Sequence, residues 1–367
     1  MKKHNAENER IKREYFGFLK ESKGHSEASV DAVAKALNRF EEYNKHRDFK
    51  AFRFEQAVAF KNHLAGQKGQ RSGEKLSKAT LHATLAHLKR FFQWLAWQPG
   101  YKSRLQYSDS EYFNLSKNDT RIATARRQRP VPTLEQIKHV ISMMPAGTEI
   151  ERRNRALVAF TILTGARDSA IASMKLKHVD FSVGSVNQDA REVRTKNSKT
   201  FTTYFFPVGD EIQRIVEDWV TFLREEKLWG NDDPLFPKTD MKPGSEQKFE
   251  AVGLKREHWS TATPIRTIFR DAFSHAGLSY FNPHSFRNTL VQLGEKVCHS
   301  VEDFKAWSQN LGHEGVLTTL YSYGEVSPRR QGEIINSLAK PQRSAQSEVG
   351  ELAKAIAREL RTSETGG

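Results

Sequence analysis

Arg167, Lys196, His284, Arg287 and His313 occur in that order along this chain, and two tyrosines follow them, Tyr321 and Tyr323. Those residue types suit chemistry at a phosphate. Guanidiniums fork phosphoryl oxygens and keep their charge throughout a reaction. A tyrosine can attack phosphorus if a nearby base takes its proton, held with a pKa of about 10. His284 and Arg287 are three residues apart, a spacing that puts both on one helix face. Asn282-Pro283 reads as an N-cap followed by a first-turn proline. The spacing therefore predicts a helix starting there, with both side chains near unpaired N–H groups that already favour an anion. A DNA phosphate is the anion this suits. Each residue alone carries little: arginines after glycine are common, and a lone histidine is most often structural.

Whole-chain properties agree with a polyanionic partner. The chain has 367 residues, enough for two domains, and is 37% hydrophobic, enough to bury real cores. Its formal net charge is +14, a balance that points to nucleic acid. The single cysteine, Cys298, excludes an intrachain disulfide and fits a reducing compartment. Residues 1–15 are charged and lack the apolar run of a secretory signal. No stretch is long and apolar enough to span a membrane. The expectation is a cytoplasmic protein without a membrane partner.

Helical stripes fill the first hundred residues. Ile11, Tyr15, Phe18 and Leu19 form one; Val30, Val33, Leu37 and Phe40 form another. A weaker stripe includes Phe54, Ala57, Val58 and Leu64. The clearest begins at a capping Ser77 and runs through Leu81, Leu85, Leu88, Phe92 and Leu95. Its opposite face carries Lys75, Lys78, His82, Lys89 and Arg90, candidates for phosphate contact. Residues 1–110 are thus expected to form a four-helix domain. From 111 to 132 the pattern breaks down, and Arg121, Arg126, Arg127 and Arg129 precede Pro130-Val131-Pro132. That composition reads as an extended basic interdomain linker that can track a phosphate backbone.

A second domain is expected over 133–340. Thr133 and Gln136 form a capping box for its first helix. An apolar helix ends at Thr164-Gly165-Ala166-Arg167, and Asp168 is placed to cap the next. Three strands are expected at Val179–Phe181, Glu192–Thr195 and Phe201–Val208, the last two joined by a turn around Asn197-Ser198. The polar stretch 230–262 yields no assignment. The overall class is mainly α with a small antiparallel β-sheet. A tail at 341–367 carries an amphipathic stripe of Val349, Leu352, Ile356 and Leu360, which must be buried on its own domain or on another copy.

The ordered set resembles the tyrosine recombinase (phage integrase) family. The matching stretches are Thr164-Gly165-Ala166-Arg167, Arg194-Thr195-Lys196, His284-Ser285-Phe286-Arg287, Leu311-Gly312-His313, and Thr318-Thr319 leading to Tyr323-Gly324-Glu325-Val326. The resemblance covers about Thr133 to Ala339 and extends more loosely to the first domain, as an N-terminal core-binding (SAM-like) domain. It implies a site-specific recombinase that cuts and rejoins double-stranded DNA through a 3′-phosphotyrosyl link, without a cofactor or metal. It further implies four protomers at synapsis and integration or excision of a mobile element.

By that resemblance Arg167 and Arg287 clamp the phosphate, Lys196 protonates the leaving 5′-oxygen, and His313 bonds a phosphate oxygen. His284 is the candidate to assist loss of the tyrosine proton. Lys199 is the alternative lysine, three residues on across the same turn. Tyr323 fits the family spacing and the residues that follow its nucleophile; Tyr321 is the alternative. Departures occur. Asp168-Ser169-Ala170 stands where the family has Ser-Glu shortly after its first arginine, Asn288 replaces a frequent histidine, and so does Glu325. The competing readings are a catalytically weak or inactive DNA-binding protein of the same fold and a metal-dependent nuclease. For the latter, His313-Glu314 lacks a second histidine at zinc-site spacing.

Overall fold

The computed structural model describes residues 4–69, 73–125, 130–243 and 249–313. The chain divides into two compact units between Arg127 and Gln128.

The first unit is built on four helices, α1 (Ala6–Gly17), α2 (Glu27–Tyr43), α3 (Phe54–Gly66) and α4 (Lys78–Leu95), one for each apolar stripe. α1 continues as a wider π-helical turn through Phe18–Ser22. Ser77 caps α4, its Oγ accepting from the Thr80 N–H at 3.2 Å. The stripes meet in an aromatic core where Phe40, Phe60, Leu88 and Phe91 are fully buried. Phe52 stacks on Phe92 with ring centroids 3.8 Å apart. Asn8, also fully buried, ties the helices together. Its amide donates to Glu41 and to the Arg47 carbonyl and accepts from the Phe49 N–H, so the buried polar group is satisfied.

The segment expected to be an extended linker is partly folded. A 3-10 segment, Tyr107–Phe113, is followed by α5 (Lys117–Thr124), which packs on α4. Ser116 caps α5 through the Asp119 N–H at 3.0 Å. Phe113 is buried and packs against both Phe52 and Phe92. α5 itself buries no residue, so no apolar stripe marks it in the sequence.

In the second unit α6 (Leu134–Met143) opens on the expected capping box, with reciprocal Thr133 and Gln136 bonds. α7 (Glu149–Thr164) is buried on every face from Ala156 to Thr164 and forms the centre of the unit. A short α8 (Asp168–Ile171) follows. The sheet is antiparallel, ordered β1 (Val179–Asp180), β2 (Ser185–Gln188) and β3 (Phe201–Tyr204). The second strand is therefore not Glu192–Thr195, which lies in the β2–β3 connection. Gly184, at φ +67°, turns the chain directly from β1 into β2. Val186 and Gln188 then face the core opposite Thr203 and Phe201.

Helix α9 (Asp210–Thr221) packs on α7. The unassigned polar stretch contains a hairpin of β4 (Lys238–Pro243) and β5 (Phe249–Lys255). α10 (Thr263–His275), α11 (Pro283–Val297) and α12 (Val301–Asn310) complete the described unit. Among the described residues no helix is long and apolar enough to cross a membrane. The tail at 341–367 lies outside the described residues.

Candidate active site

α11 starts where the sequence predicts. Asn282 caps it by accepting from the Ser285 N–H at 3.2 Å, and Pro283 is its first residue. His284 is exposed on the first turn, while Arg287, one turn on, is only 3% exposed. The Arg287 guanidinium donates to two main-chain carbonyls, those of Gly165 and Leu311. One of its terminal nitrogens also lies 3.1 Å from His313 Nε2. A single buried arginine thus joins the Thr164–Arg167 turn, α11 and the Leu311–His313 turn.

Each turn has a local cause. Gly165 ends α7 in the left-handed region at φ +60°, its N–H still bonded to the Thr161 carbonyl. A Cβ there would lie 3.0 Å from both Leu290 and Leu311. Arg167 then occupies the N-cap position of α8. Asp168 is the first residue of that helix rather than its cap, and its carboxylate does not turn back to Arg167. It pairs with Arg266 on α10 at 2.8 Å. At the other end, α12 stops in a turn in which the His313 N–H bonds the Ser308 carbonyl and Gly312 sits at φ +67°.

Lys196 is in the β2–β3 connection, as the first residue of a 3-10 turn whose next two residues, Asn197 and Ser198, have positive φ. Lys199 follows immediately after that turn. Arg194, two residues before Lys196, holds the loop in place. Its guanidinium donates to the carbonyls of Ala172, Trp259 and Ser260, and its N–H bonds Ser173 Oγ at 2.9 Å. Arg194 therefore anchors the base of the lysine loop. No motif reveals this, since the acceptors of its guanidinium are backbone atoms.

The five described candidates lie close enough to act on one another's charge. Burial first, and then Arg287, Arg167, His284 and Lys196, together push the His313 pKa down to about 4. His284, though exposed, is partly desolvated, which lowers its pKa; Arg287, Arg167 and Lys196 lower it further, with Asp168 opposing. Arg287 is pushed down to about 9 by burial and by Arg167 and remains a cation at neutral pH. Arg167 is lowered by burial alone. Among the described residues neither arginine is paired with a carboxylate. Two fixed cations beside two neutral imidazoles make a cradle for an anion, with acceptors ready for a proton. Tyr321 and Tyr323 lie outside the described residues.

The sequence pattern of the phage integrase family matches residues 132–330, more than half of the chain. The chain belongs to the phage integrase family. The family's N-terminal SAM-like domain matches residues 13–99. Among curated relatives, a tyrosine recombinase XerC of Lactobacillus leichmannii is 24% identical over 254 residues, 68% of this chain and 72% of that protein. The ICEBs1 integrase of Bacillus subtilis is 22% identical over 61% of this chain and 58% of its own length. Among solved structures, a lambda integrase dimer bound to a COC′ core site has a TM-score of 0.59 at 12% identity, covering 88% of this chain and 96% of that one. XerH bound to difH substrate has a TM-score of 0.53 at 18% identity, covering 86% and 80%. These low identities carry the fold.

In the SAM-like domain of this integrase-family chain, the expected basic face of α4 is partly engaged. Lys78 pairs with Asp119 at 2.8 Å, and Lys89 with Glu111 at 2.7 Å. Lys75 is exposed and forms an isolated bridge with Lys68; Arg90 is exposed. An open groove of about 640 Å³ runs along α4 beside α5, with His82, Lys89, Arg90, Lys117 and Arg121 among its lining residues. Arg126, Arg127 and Arg129 lie outside the described residues.

Proposed function

We propose that this chain is a site-specific DNA recombinase that cuts and rejoins duplex DNA through a covalent 3′-phosphotyrosyl intermediate, in the service of a mobile element. The observation that carries this reading is Arg287: a buried cation, held by carbonyls, 3.1 Å from His313 and electrostatically close to Arg167. A charge so placed, with no carboxylate partner among the described residues, suits an incoming phosphate. Arg167 and Arg287 hold the non-bridging oxygens, and His313 bonds one of them. The tyrosine Oη forms a bond to phosphorus as the bond to the 5′-oxygen breaks. His284, neutral at pH 7, accepts the tyrosine proton, and Lys196 donates a proton to the leaving 5′-oxygen. The covalent link retains the bond free energy, so a second 5′-hydroxyl reverses the step without a cofactor.

Tyr323 is assigned as the nucleophile. The test uses a plasmid carrying the gene's own flanking DNA, with covalent protein–DNA adducts scored on a denaturing gel. Tyr323→Phe should abolish adducts and Tyr321→Phe should retain them. Adducts that survive Tyr323→Phe overturn the assignment. DNA binding without adducts in the unaltered chain favours the alternative, an inactive binding protein.

Double-stranded DNA is the partner this reading requires, and the cytosol the compartment. Recombination joins two duplexes. A lambda integrase tetramer bound to a Holliday junction, with a TM-score of 0.56 at 13% identity, is the basis for inferring a tetramer. The tail beyond Pro328 is assigned to contacts between protomers, so its deletion should weaken synapsis more than single-site binding. Equal losses in both would remove that role.

A further inference from the structure

We propose that Asn310 is a positioning residue for His313, clamping the Leu311–Gly312–His313 turn onto the strand that leads out of the Lys196 loop. The inference rests on the catalytic reading of His313 given above.

Asn310 is the last residue of α12. Its side-chain amide meets the open edge of β3 as another strand would. Asn310 Oδ1 accepts from the Tyr204 N–H at 2.7 Å, and Asn310 Nδ2 donates to the Tyr204 carbonyl at 2.9 Å. A matched donor and acceptor of this kind fix both the position and the orientation of the amide. Aspartate supplies only the acceptor, and leucine neither. The main chain of Asn310 is held as well. Thr203 Oγ1, on a residue only 1% exposed, donates to its carbonyl at 3.1 Å and accepts from Gln188 Nε2 on β2 at 3.1 Å. The clamp therefore reaches across two strands of the sheet.

Two residues, Leu311 and Gly312, separate Asn310 from His313, and they leave little slack. Leu311 is fully buried and gives its carbonyl to Arg287. Gly312, in the left-handed region, lies so close to Phe201 of β3 that a Cβ would meet the ring at 2.7 Å. With Asn310 fixed to Tyr204 and Gly312 packed on Phe201, His313 is held at its 3.1 Å approach to Arg287. The strand bearing Tyr204 and Phe201 is also the one that follows the loop carrying Lys196. One amide thus references two of the proposed catalytic groups to the same piece of sheet.

Single-turnover adduct formation on the plasmid with the gene's flanking DNA tests this, in the full chain, with Asn310→Ala, His313→Ala and the double variant. A displaced catalytic group slows a reaction by about 10- to 100-fold while leaving substrate binding intact. Asn310→Ala should therefore slow adduct formation by about that factor with unchanged DNA affinity. In the His313→Ala background it should add little further loss, because the group it positions is gone. Asn310→Asp keeps one of the two edge bonds and should fall between. It also serves if the alanine variant does not fold. The His313 ring, followed by proton NMR without DNA, should titrate upward from its depressed value in Asn310→Ala. A wild-type rate in both Asn310 variants, or a full extra loss in the His313→Ala background, overturns the clamp and leaves the recombinase reading standing. A wild-type rate for His313→Ala overturns both the role given to His313 and this inference.

Discussion

The carboxylate of Asp168 pairs with Arg266 at 2.8 Å, although Asp168 follows Arg167 directly in the chain. The acid nearest in sequence to the first catalytic candidate is thus committed to α10. The pair is partly solvated, with the Arg266 side chain 55% exposed, and such pairs contribute about 0.2–1 kcal/mol. Asp168→Asn should therefore lower stability by no more than about 1 kcal/mol and keep most of the adduct-forming activity, whereas Arg167→Ala should abolish it. Urea unfolding and the adduct gel measure the two. Equal inactivation by both substitutions would mean that Asp168 supports Arg167 after all.

Gly312→Ala places a methyl group 2.7 Å from the Phe201 ring in a residue held at φ +67°. Overpacking and left-handed strain together should destabilise the protein by about 1–3 kcal/mol. Replacing Phe201 with leucine should recover part of that loss but not all, because the backbone strain remains. A double-mutant cycle from chemical denaturation measures the recovery. Full additivity would show that the ring is not what the new methyl meets.

His313 carries a prediction for pH. Burial and neighbouring cations set its folded-state pKa at about 4 against an ordinary 6.5. Between those values the unfolded chain binds a proton that the folded chain does not, so stability rises with pH. This contribution is complete above about 6.5 and is lost as pH falls towards 4. His284 is depressed in the same direction. The urea midpoint of the wild type should therefore fall on acidification from neutral pH to pH values near 5, by more than that of His313→Gln. Identical pH profiles for the two proteins would show that the His313 ring titrates normally.

Most helices of both units are legible because they bury an apolar face, and burial leaves a period in the sequence. Elements that bury nothing are silent. α5 is held by its Ser116 cap and by the Lys78–Asp119 pair, neither of which makes a stripe. The β4–β5 hairpin is mostly exposed on both faces, Phe249 at 71% included, so it lacks the alternation that marks a half-buried strand. β2 is polar in composition, and its place is decided by pairing with β3 rather than by propensity. The candidate site divides in the same way. Arg167, Lys196, His284, Arg287 and His313 can be read from type and order. Their anchors, Arg194 and Asn310, bond to main-chain atoms distant in sequence, which one-dimensional spacing does not encode. Asp168 shows the reverse error, a neighbour in sequence whose partner is elsewhere in space.

The manner in which Arg287 is held bears on how the site withstands mutation. An arginine steadied by a carboxylate can be lost through either residue's codon. The carbonyls of Gly165 and Leu311 are present whatever side chains those positions carry, so among the described residues Arg287 has no acidic partner to delete. Drift around this group is constrained by the shape of the two turns that bring the carbonyls there. Substitutions that respect those turns can accumulate in a lineage without releasing the arginine.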